Sequence, residues 1–323
     1  MSNVGIAGIG AYTPSLAVTN DDISRLVETN DEWIVKMTGI HERRISEGED
    51  TSDMACKAAM TALKRADVDP KDLDLIIVAT ISPDKFIPSV ACLVQSKIGA
   101  DDAACFDISV ACSGFVYAME VAKGMMNSMN YKNALIVGAE TLSKIINWQD
   151  RSTCILFGDG AGAAVLKKTE GNGIIKSYLR SQGKKWKALT VDGADFDTPF
   201  SKETVIKDRH VIMDGGKVLR FAVSAISNSV KEVLKETGIS MDEIKYIVPH
   251  QANIRIIQSA AKLLRLDLNK FYINIDKYGN TSSASVPIAL NEMYEKGVIE
   301  KGDKLILVAF GGGLTYAASV IEW

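Results

Sequence analysis

Three side chains in this sequence are placed to do chemistry: Cys112, His250 and Asn280. Cys112 lies in Val110-Ala111-Cys112-Ser113-Gly114, where an apolar run gives way to a helical pattern. A thiol at a helix N-terminus feels the positive end of the helix dipole, which lowers its pKa. That effect is worth roughly 0.3–2 kcal/mol, or about one pKa unit, so a nearby imidazole is needed to supply the rest. Of the three histidines, His41 (in His41-Glu42-Arg43-Arg44) and His210 (in Lys207-Asp208-Arg209-His210) sit in charged stretches that read as solvated surface. His250 differs, because an apolar run and Pro249 deliver it to a polar turn. Asn280 follows Gly279 in a Gly-Asn-Thr-Ser turn, a place where Gly and Asn tolerate positive φ. Position alone leaves each a structural alternative: a buried cysteine, a satisfied core histidine, a turn asparagine. The other cysteines, Cys56, Cys92, Cys105 and Cys154, read as small core residues, and no Cys/His spacing suits a metal.

Something must bring the three together. Apolar β-rich runs at 4–9, 75–80, 105–109, 134–138, 161–166, 174–179, 246–249, 271–275, 304–309 and 317–321 predict strands. Several are continuous apolar runs, as in strands buried on both faces. Helical patterns cover 51–66, 114–127, 217–237, 253–264 and 284–295, the first opening on the capping stretch Thr51-Ser52-Asp53. Alternation of this kind predicts an α/β fold with covered sheets. The strands also repeat: starts near 4, 75, 106 and 134 have gaps of 71, 31 and 28, and starts near 174, 246, 272 and 304 have gaps of 72, 26 and 32. Each half then closes with a Gly-rich turn into a last strand, Phe157-Gly158-Asp159-Gly160-Ala161-Gly162 and Phe310-Gly311-Gly312-Gly313. The repeat divides the chain into halves at 1–169 and 170–323. Cys112, His250 and Asn280 all lie just past strand carboxyl ends, where open α/β sheets gather ligands, and the duplication would bring them to one pseudo-two-fold.

Composition narrows the classes. At 323 residues the chain is long enough for two domains and a large core. Hydrophobic residues are 47% and charged residues 24%, which excludes disordered, collagenous and disulfide-scaffold classes. A net charge of −3 gives no global field for nucleic acid, so any anion site is local. No apolar stretch is long enough for a transmembrane helix and the N-terminus lacks signal-peptide character, so a cytoplasmic protein is expected.

The set of motifs resembles the β-ketoacyl-acyl-carrier-protein synthase III family of the thiolase superfamily, over essentially the whole chain. The resemblance rests on Ala111-Cys112-Ser113-Gly114-Phe115, Asp150-Arg151-Ser152-Thr153, the segment 157–163, Pro249-His250-Gln251-Ala252-Asn253-Ile254-Arg255, Tyr278-Gly279-Asn280-Thr281-Ser282 and Phe310-Gly311-Gly312-Gly313. It implies a thiolase-like, five-layered αβαβα fold built from two duplicated half-folds. It implies that Cys112 takes an acyl group from an acyl-CoA primer, with the N–H groups of Cys112 and Gly312 as oxyanion hole. Malonyl-acyl-carrier protein then loses CO2, and His250 and Asn280 donate to the enolate oxygen. The carbanion attacks the acyl-cysteine to give a β-ketoacyl product. Loss of CO2 makes a carboxylate base unnecessary, and no cofactor is implied because the CoA thioester is a substrate.

The same resemblance assigns Trp33 and Arg151 to an adenine sandwich and Phe157 to a dry pocket by the nucleophile. Met213, Gly215 and Leu219 line the substrate pocket, and Leu219, where some members have phenylalanine, implies room for more than acetyl. Gln251, Ala252, Asn253, Ile254 and Arg255, with Lys262 one face along the helix, would dock the acidic carrier protein; Asn253 also lies on the CoA path. Met37 stands where some members have a CoA-phosphate arginine, leaving Lys36 or Arg44 to substitute. A homodimer is implied, with Phe86 or Ile87 closing the partner's pocket. Two rivals are weaker. Gly5-Ile6-Ala7-Gly8-Ile9-Gly10 lacks the G-x-G-x-x-G spacing of a dinucleotide site and is followed by Pro14. A degradative thiolase would carry a second cysteine in the late Gly-rich segment, and Phe310-Gly311-Gly312-Gly313-Leu314 has none. A polyketide-type starter synthase remains the alternative condensing enzyme.

Overall fold

The computed structural model describes residues 3–171 and 173–323. The first half contains β1 (Asn3–Tyr12), α1 (Asp31–Thr38), α2 (Thr51–Ala66), β2 (Leu75–Ala79), α3 (Val90–Ile98), β3 (Ala104–Ile108), α4 (Gly114–Ser128), β4 (Asn133–Glu140) and β5 (Gly160–Thr169). The second contains β6 (Ile174–Ser181), α5 (Gly215–Thr237), β7 (Ile244–Pro249), α6 (Ile254–Leu264), α7 (Ser285–Glu295), β8 (Lys304–Gly311) and β9 (Thr315–Glu322). Every residue of β2 is buried, as the unbroken apolar run required of a strand covered on both faces.

The two main sheets repeat one topology. In the first the order is β1-β5-β4-β2-β3, with β1–β5 and β5–β4 antiparallel and β4–β2 and β2–β3 parallel. In the second the order is β6-β9-β8-β7, antiparallel, antiparallel, then parallel. A second-sheet counterpart of β3 was expected at 271–275. Only Phe271 pairs there, as a parallel bridge to Ile247, and Ile275–Tyr278 is a helical turn. Side chains interrupt the ladder: Gln251 Oε1 accepts the Asn274 N–H, and the Asn274 amide donates to Glu292.

Helices α2 and α3 cover the outer face of the first sheet, α4 and α7 lie between the sheets, and α5 and α6 cover the second, giving five layers. The central layer holds a core cluster drawn from both halves, including Phe115, Met119, Val286, Leu290, Ile136 and Leu307. Gly8 and Gly10 let α2 lie against β1: a Cβ there would fall 2.3 Å from the Ala62 carbonyl oxygen and 2.4 Å from that of Ala58. These glycines of the Gly5–Gly10 stretch thus serve helix–sheet packing. Helix α2 is capped one residue earlier than expected, by Asp50, whose N–H donates to Asp53. Thr51 instead bonds Ser82 and Thr141 in the interior. No helix among the described residues is long and apolar enough to cross a membrane.

Candidate active site

The ends of β3, β4, β7 and β8 converge at the middle of the molecule. Cys112 follows β3 on a single 3-10 turn, Ala111–Ser113, that feeds α4. Its equivalent in the second half is the turn Ser282–Ala284, which feeds α7. The first residue of each turn has a left-handed backbone, Ala111 with φ 45° and Ser282 with φ 49°. Such strain in a non-glycine residue persists only where the surroundings hold it. Each half supports the other's turn. A Cβ on Gly138 of β4 would lie 2.3 Å from the Ser283 carbonyl oxygen, and one on Gly311 of β8 would lie 2.6 Å from the Cys112 nitrogen.

His250 leaves the end of β7 with its N–H on the Val308 carbonyl at 2.8 Å. Its ring meets Phe310 edge-on at 5.1 Å, and its Nδ1 lies 2.6 Å from Ser285 Oγ. Burial pushes its pKa down to about 3, so the imidazole is neutral. Ser285 Oγ accepts the Gln251 N–H and is the hydrogen-bond partner of Nδ1. With Nδ1 so engaged, Nε2 is the ring nitrogen without a protein partner among the described residues. Asn280 is set by the same logic. Its Oδ1 accepts the Ser282 N–H at 2.9 Å, which leaves the Nδ2 protons free to donate. Its backbone is clamped to the segment carrying Phe157, by Asn280 N–H to Leu156 O at 2.8 Å and Gly158 N–H to Asn280 O at 3.0 Å.

Two cavities meet at Cys112. A small one of about 100 Å³ is shared by Cys112, His250, Asn280, Phe157, Met213 and Leu219, and Gly215, Ala252 and Asn253 also reach it. A larger one of about 640 Å³ is shared by Cys112, Phe157, Leu189, Gly312, Trp186 and Phe86. The three polar residues singled out in the sequence and the apolar ones expected around them thus share one cavity.

The sequence reading of the thiol needs correction. Cys112 is 7% exposed, and burial raises its pKa to about 12, as burial also raises Cys105 and Cys154. Desolvation outweighs the helix end, which is worth about one unit. Docking also needs correction at Gln251. That side chain is buried, donates to the Pro249 and Tyr272 carbonyls and accepts from Asn274, so it offers no surface. Ile254 packs against Gly39, and Asn253 caps α6 and donates to the Met37 carbonyl. Arg255 and Lys262 are exposed, Arg255 reaching the Met37 sulfur at 3.6 Å. Trp33 and Arg151 stack on each other, the guanidinium carbon 4.8 Å from the ring centroid, and neither lines the two cavities.

Several residues escaped sequence reading. Arg43, in a stretch read as surface, is fully buried, donating to Val18 O, Asn20 Oδ1 and Ile155 O. Glu140 is fully buried and accepts the Ser282 hydroxyl from the turn that feeds α7. The only signal for it was a carboxyl ending an otherwise apolar strand.

Residues 106–183 match the model for 3-oxoacyl-[acyl-carrier-protein (ACP)] synthase III, and residues 234–323 match the model for its C-terminal region. A Clostridium beijerinckii beta-ketoacyl-[acyl-carrier-protein] synthase III is 70% identical over 323 residues, 100% of both chains. The Clostridium novyi protein of that name is 54% identical over the same span, again 100% of both chains. The crystal structure of 3-oxoacyl-[acyl-carrier-protein] synthase III from Aquifex aeolicus VF5 superposes with a TM-score of 0.93 at 41% identity, covering 99% of this chain and 100% of that one.

Proposed function

The chain belongs to the 3-oxoacyl-[acyl-carrier-protein] synthase III family, and on that premise we infer that it is the initiating condensing enzyme of fatty acid synthesis. It is an acyltransferase that joins an acyl-CoA primer to malonyl-acyl-carrier protein, releasing CoA and CO2. A polyketide-type starter role is not favoured, because relatives at 70% and 54% identity over their full length are synthases III.

One observation carries the mechanism: His250 Nε2 and Asn280 Nδ2 have no hydrogen-bond partner among the described residues, and both side chains line the cavity that Cys112 lines, so with its proton on Nε2 His250 joins Asn280 as a donor. Cys112 attacks the primer thioester, breaking the bond from carbonyl carbon to CoA sulfur and forming one to its own sulfur, with the thiol proton leaving on CoA. The N–H groups of Cys112 and Gly312 receive the oxyanion. In the second half-reaction the malonyl thioester loses CO2, and its carbonyl oxygen takes up the charge as an enolate. Two neutral N–H donors suit that oxygen, because neither has to lose a solvent shell during reaction. The enolate carbon then attacks acyl-Cys112, whose sulfur departs. Met213, Gly215, Leu219 and Phe157 wall the substrate path, and the chemistry asks for no cofactor.

Trp33 and Arg151 hold the CoA adenine after separating from each other, since guanidinium and indole planes both stack on bases. Arg255 and Lys262 meet the acidic carrier protein. The protein acts in the cytoplasm as a homodimer, in which Phe86 and Ile87, 83% and 86% exposed in one chain, become covered. The test is acyl-CoA labelling of wild type and Cys112→Ala. The account expects one acyl group in the first and none in the second; labelling that survives the substitution defeats the proposed nucleophile.

A further inference from the structure

His250 is 1% exposed, and the one hydrogen bond of its ring among the described residues joins Nδ1 to Ser285 Oγ at 2.6 Å. Ser285 opens α7 and is 2% exposed. Its hydroxyl has one other partner there, the Gln251 N–H, which it accepts at 3.4 Å. Two arrangements of protons fit these contacts. With the ring proton on Nδ1, that N–H donates to Ser285 Oγ; the serine proton then has no acceptor and the Nε2 lone pair has no donor. With the ring proton on Nε2, the Ser285 O–H donates to Nδ1. The serine then gives one bond and takes one. Nε2–H is the single group left, on a ring that lines the cavity with Cys112 and Asn280. Unpaired buried polar groups are costly, so one orphan is favoured over two by roughly tenfold or more.

The duplication singles out the same side chain. Strand β7 ends at Pro249 and is followed by His250, as β2 ends at Ala79 and is followed by Thr80. Helix α7 opens on Ser285 after the turn Ser282–Ala284, as α4 opens on Gly114 after Ala111–Ser113. In the first half that helix start is packed too closely for a side chain, because a Cβ on Gly114 would lie 2.6 Å from the Ala79 Cβ. In the second half the equivalent position carries a hydroxyl, and that hydroxyl meets the histidine.

We propose that Ser285 is a positioning residue that sets the tautomer of His250: its hydroxyl donates to Nδ1 and so holds the ring proton on Nε2. The inference rests on His250 being a donor to the enolate oxygen, and it names the group that makes it one. Burial keeps the ring neutral, so it has a single proton to offer. On Nε2 that proton meets the charge that develops on the malonyl thioester oxygen. On Nδ1 it would leave an Nε2 lone pair toward that oxygen, and Asn280 would be the one donor of the pair.

The test is ¹⁵N NMR of the histidine side chains in the full-length protein at neutral pH. The chain has three histidines, and the signal lost in His250→Gln is that of His250. The wild type is expected to show a protonated Nε2 and an unprotonated Nδ1; the reverse pattern overturns the proposal, even if no serine variant folds. In Ser285→Ala the proton is expected to be shared between the two nitrogens. Decarboxylation of the malonyl thioester should then slow about tenfold or more, while Cys112 still takes up acetyl. Ser285→Thr keeps a hydroxyl at the site and is expected to restore both the spectrum and the rate. A Ser285→Ala spectrum identical to that of the wild type means that the serine only packs, and the proposal is wrong. The spectrum needs no turnover. A His250 that carries its proton on Nε2 yet is dispensable for decarboxylation would defeat the donor reading and leave the tautomer assignment standing.

Discussion

Burial tunes the reacting side chains in opposite directions. It keeps Cys112 protonated, with a pKa near 12, and keeps His250 neutral, with a pKa near 3. On the proposed mechanism the neutral imidazole held by Ser285 serves as a hydrogen-bond donor to the enolate. His250→Ala or Asn280→Ala is therefore expected to slow malonyl-thioester decarboxylation about 10²–10³-fold while Cys112 still takes up the acyl group. Separate measurement of CO2 release and of acyl-enzyme by mass checks this, and equal loss of both steps contradicts it. The same burial predicts a pH effect on stability. The folded His250 pKa of about 3 lies below the ordinary 6.5, so the unfolded chain takes the proton first as pH falls. Stability is lost from about pH 6.5 downward at up to ~1.4 kcal/mol per unit from this group. Thermal melts of His250→Gln should fall less steeply over that range than those of the wild type. Cys112 and His250 were legible because each follows a strand end in a distinctive turn; Asn280 was legible from its Gly-Asn-Thr-Ser turn alone, since a helical turn and not the expected strand precedes it. The sign of the thiol shift was not, because desolvation depends on neighbours from four strand ends far apart in sequence.

The elements deliver these residues through close approaches. Helix α1 meets α6 where Gly39, with φ 80°, would place a Cβ 2.7 Å from the Ile254 side chain. There the Asn253 amide ties α6 to the Met37 carbonyl. Asn253→Ala removes both this tie and the α6 cap, at a cost of about 1 kcal/mol or more, measurable as a lower denaturant midpoint. Gly138→Ala would press into the Ser283 carbonyl and push apart the two turns that carry Cys112 and Ser282. A loss of roughly 1–3 kcal/mol is expected there. If Gly138→Ala matches wild-type stability and acylation rate, the mutual support of the turns is wrong. Strands such as β2 and β4 were legible from apolar runs alone. The interruption at 271–275 was not, because the side chains that displace the ladder come from Gln251 and Glu292.

At the scale of the molecule, the repeated spacing in the sequence has its counterpart in two sheets of matching order. The central helices join them: α4 follows the first sheet's β3 and α7 comes from the second half, yet α7 packs on β1 and β5. We propose the division into halves at 1–169 and 170–323 as one of structure and not of independent folding. Residues 1–169 expressed alone would expose the face of β1 and β5 that α7 covers, so no cooperative unfolding transition is expected; a sharp one contradicts this. The site itself belongs to both halves, with Cys112 from one and His250 and Asn280 from the other. The most direct test of that joint site is intact-protein mass spectrometry after acetyl-CoA and then malonyl-acyl-carrier protein. The account predicts one acetyl group on Cys112, discharged by the second substrate with formation of a β-ketoacyl-carrier protein. An adduct on another residue, or one on Cys112 that malonyl-acyl-carrier protein leaves in place, would contradict it.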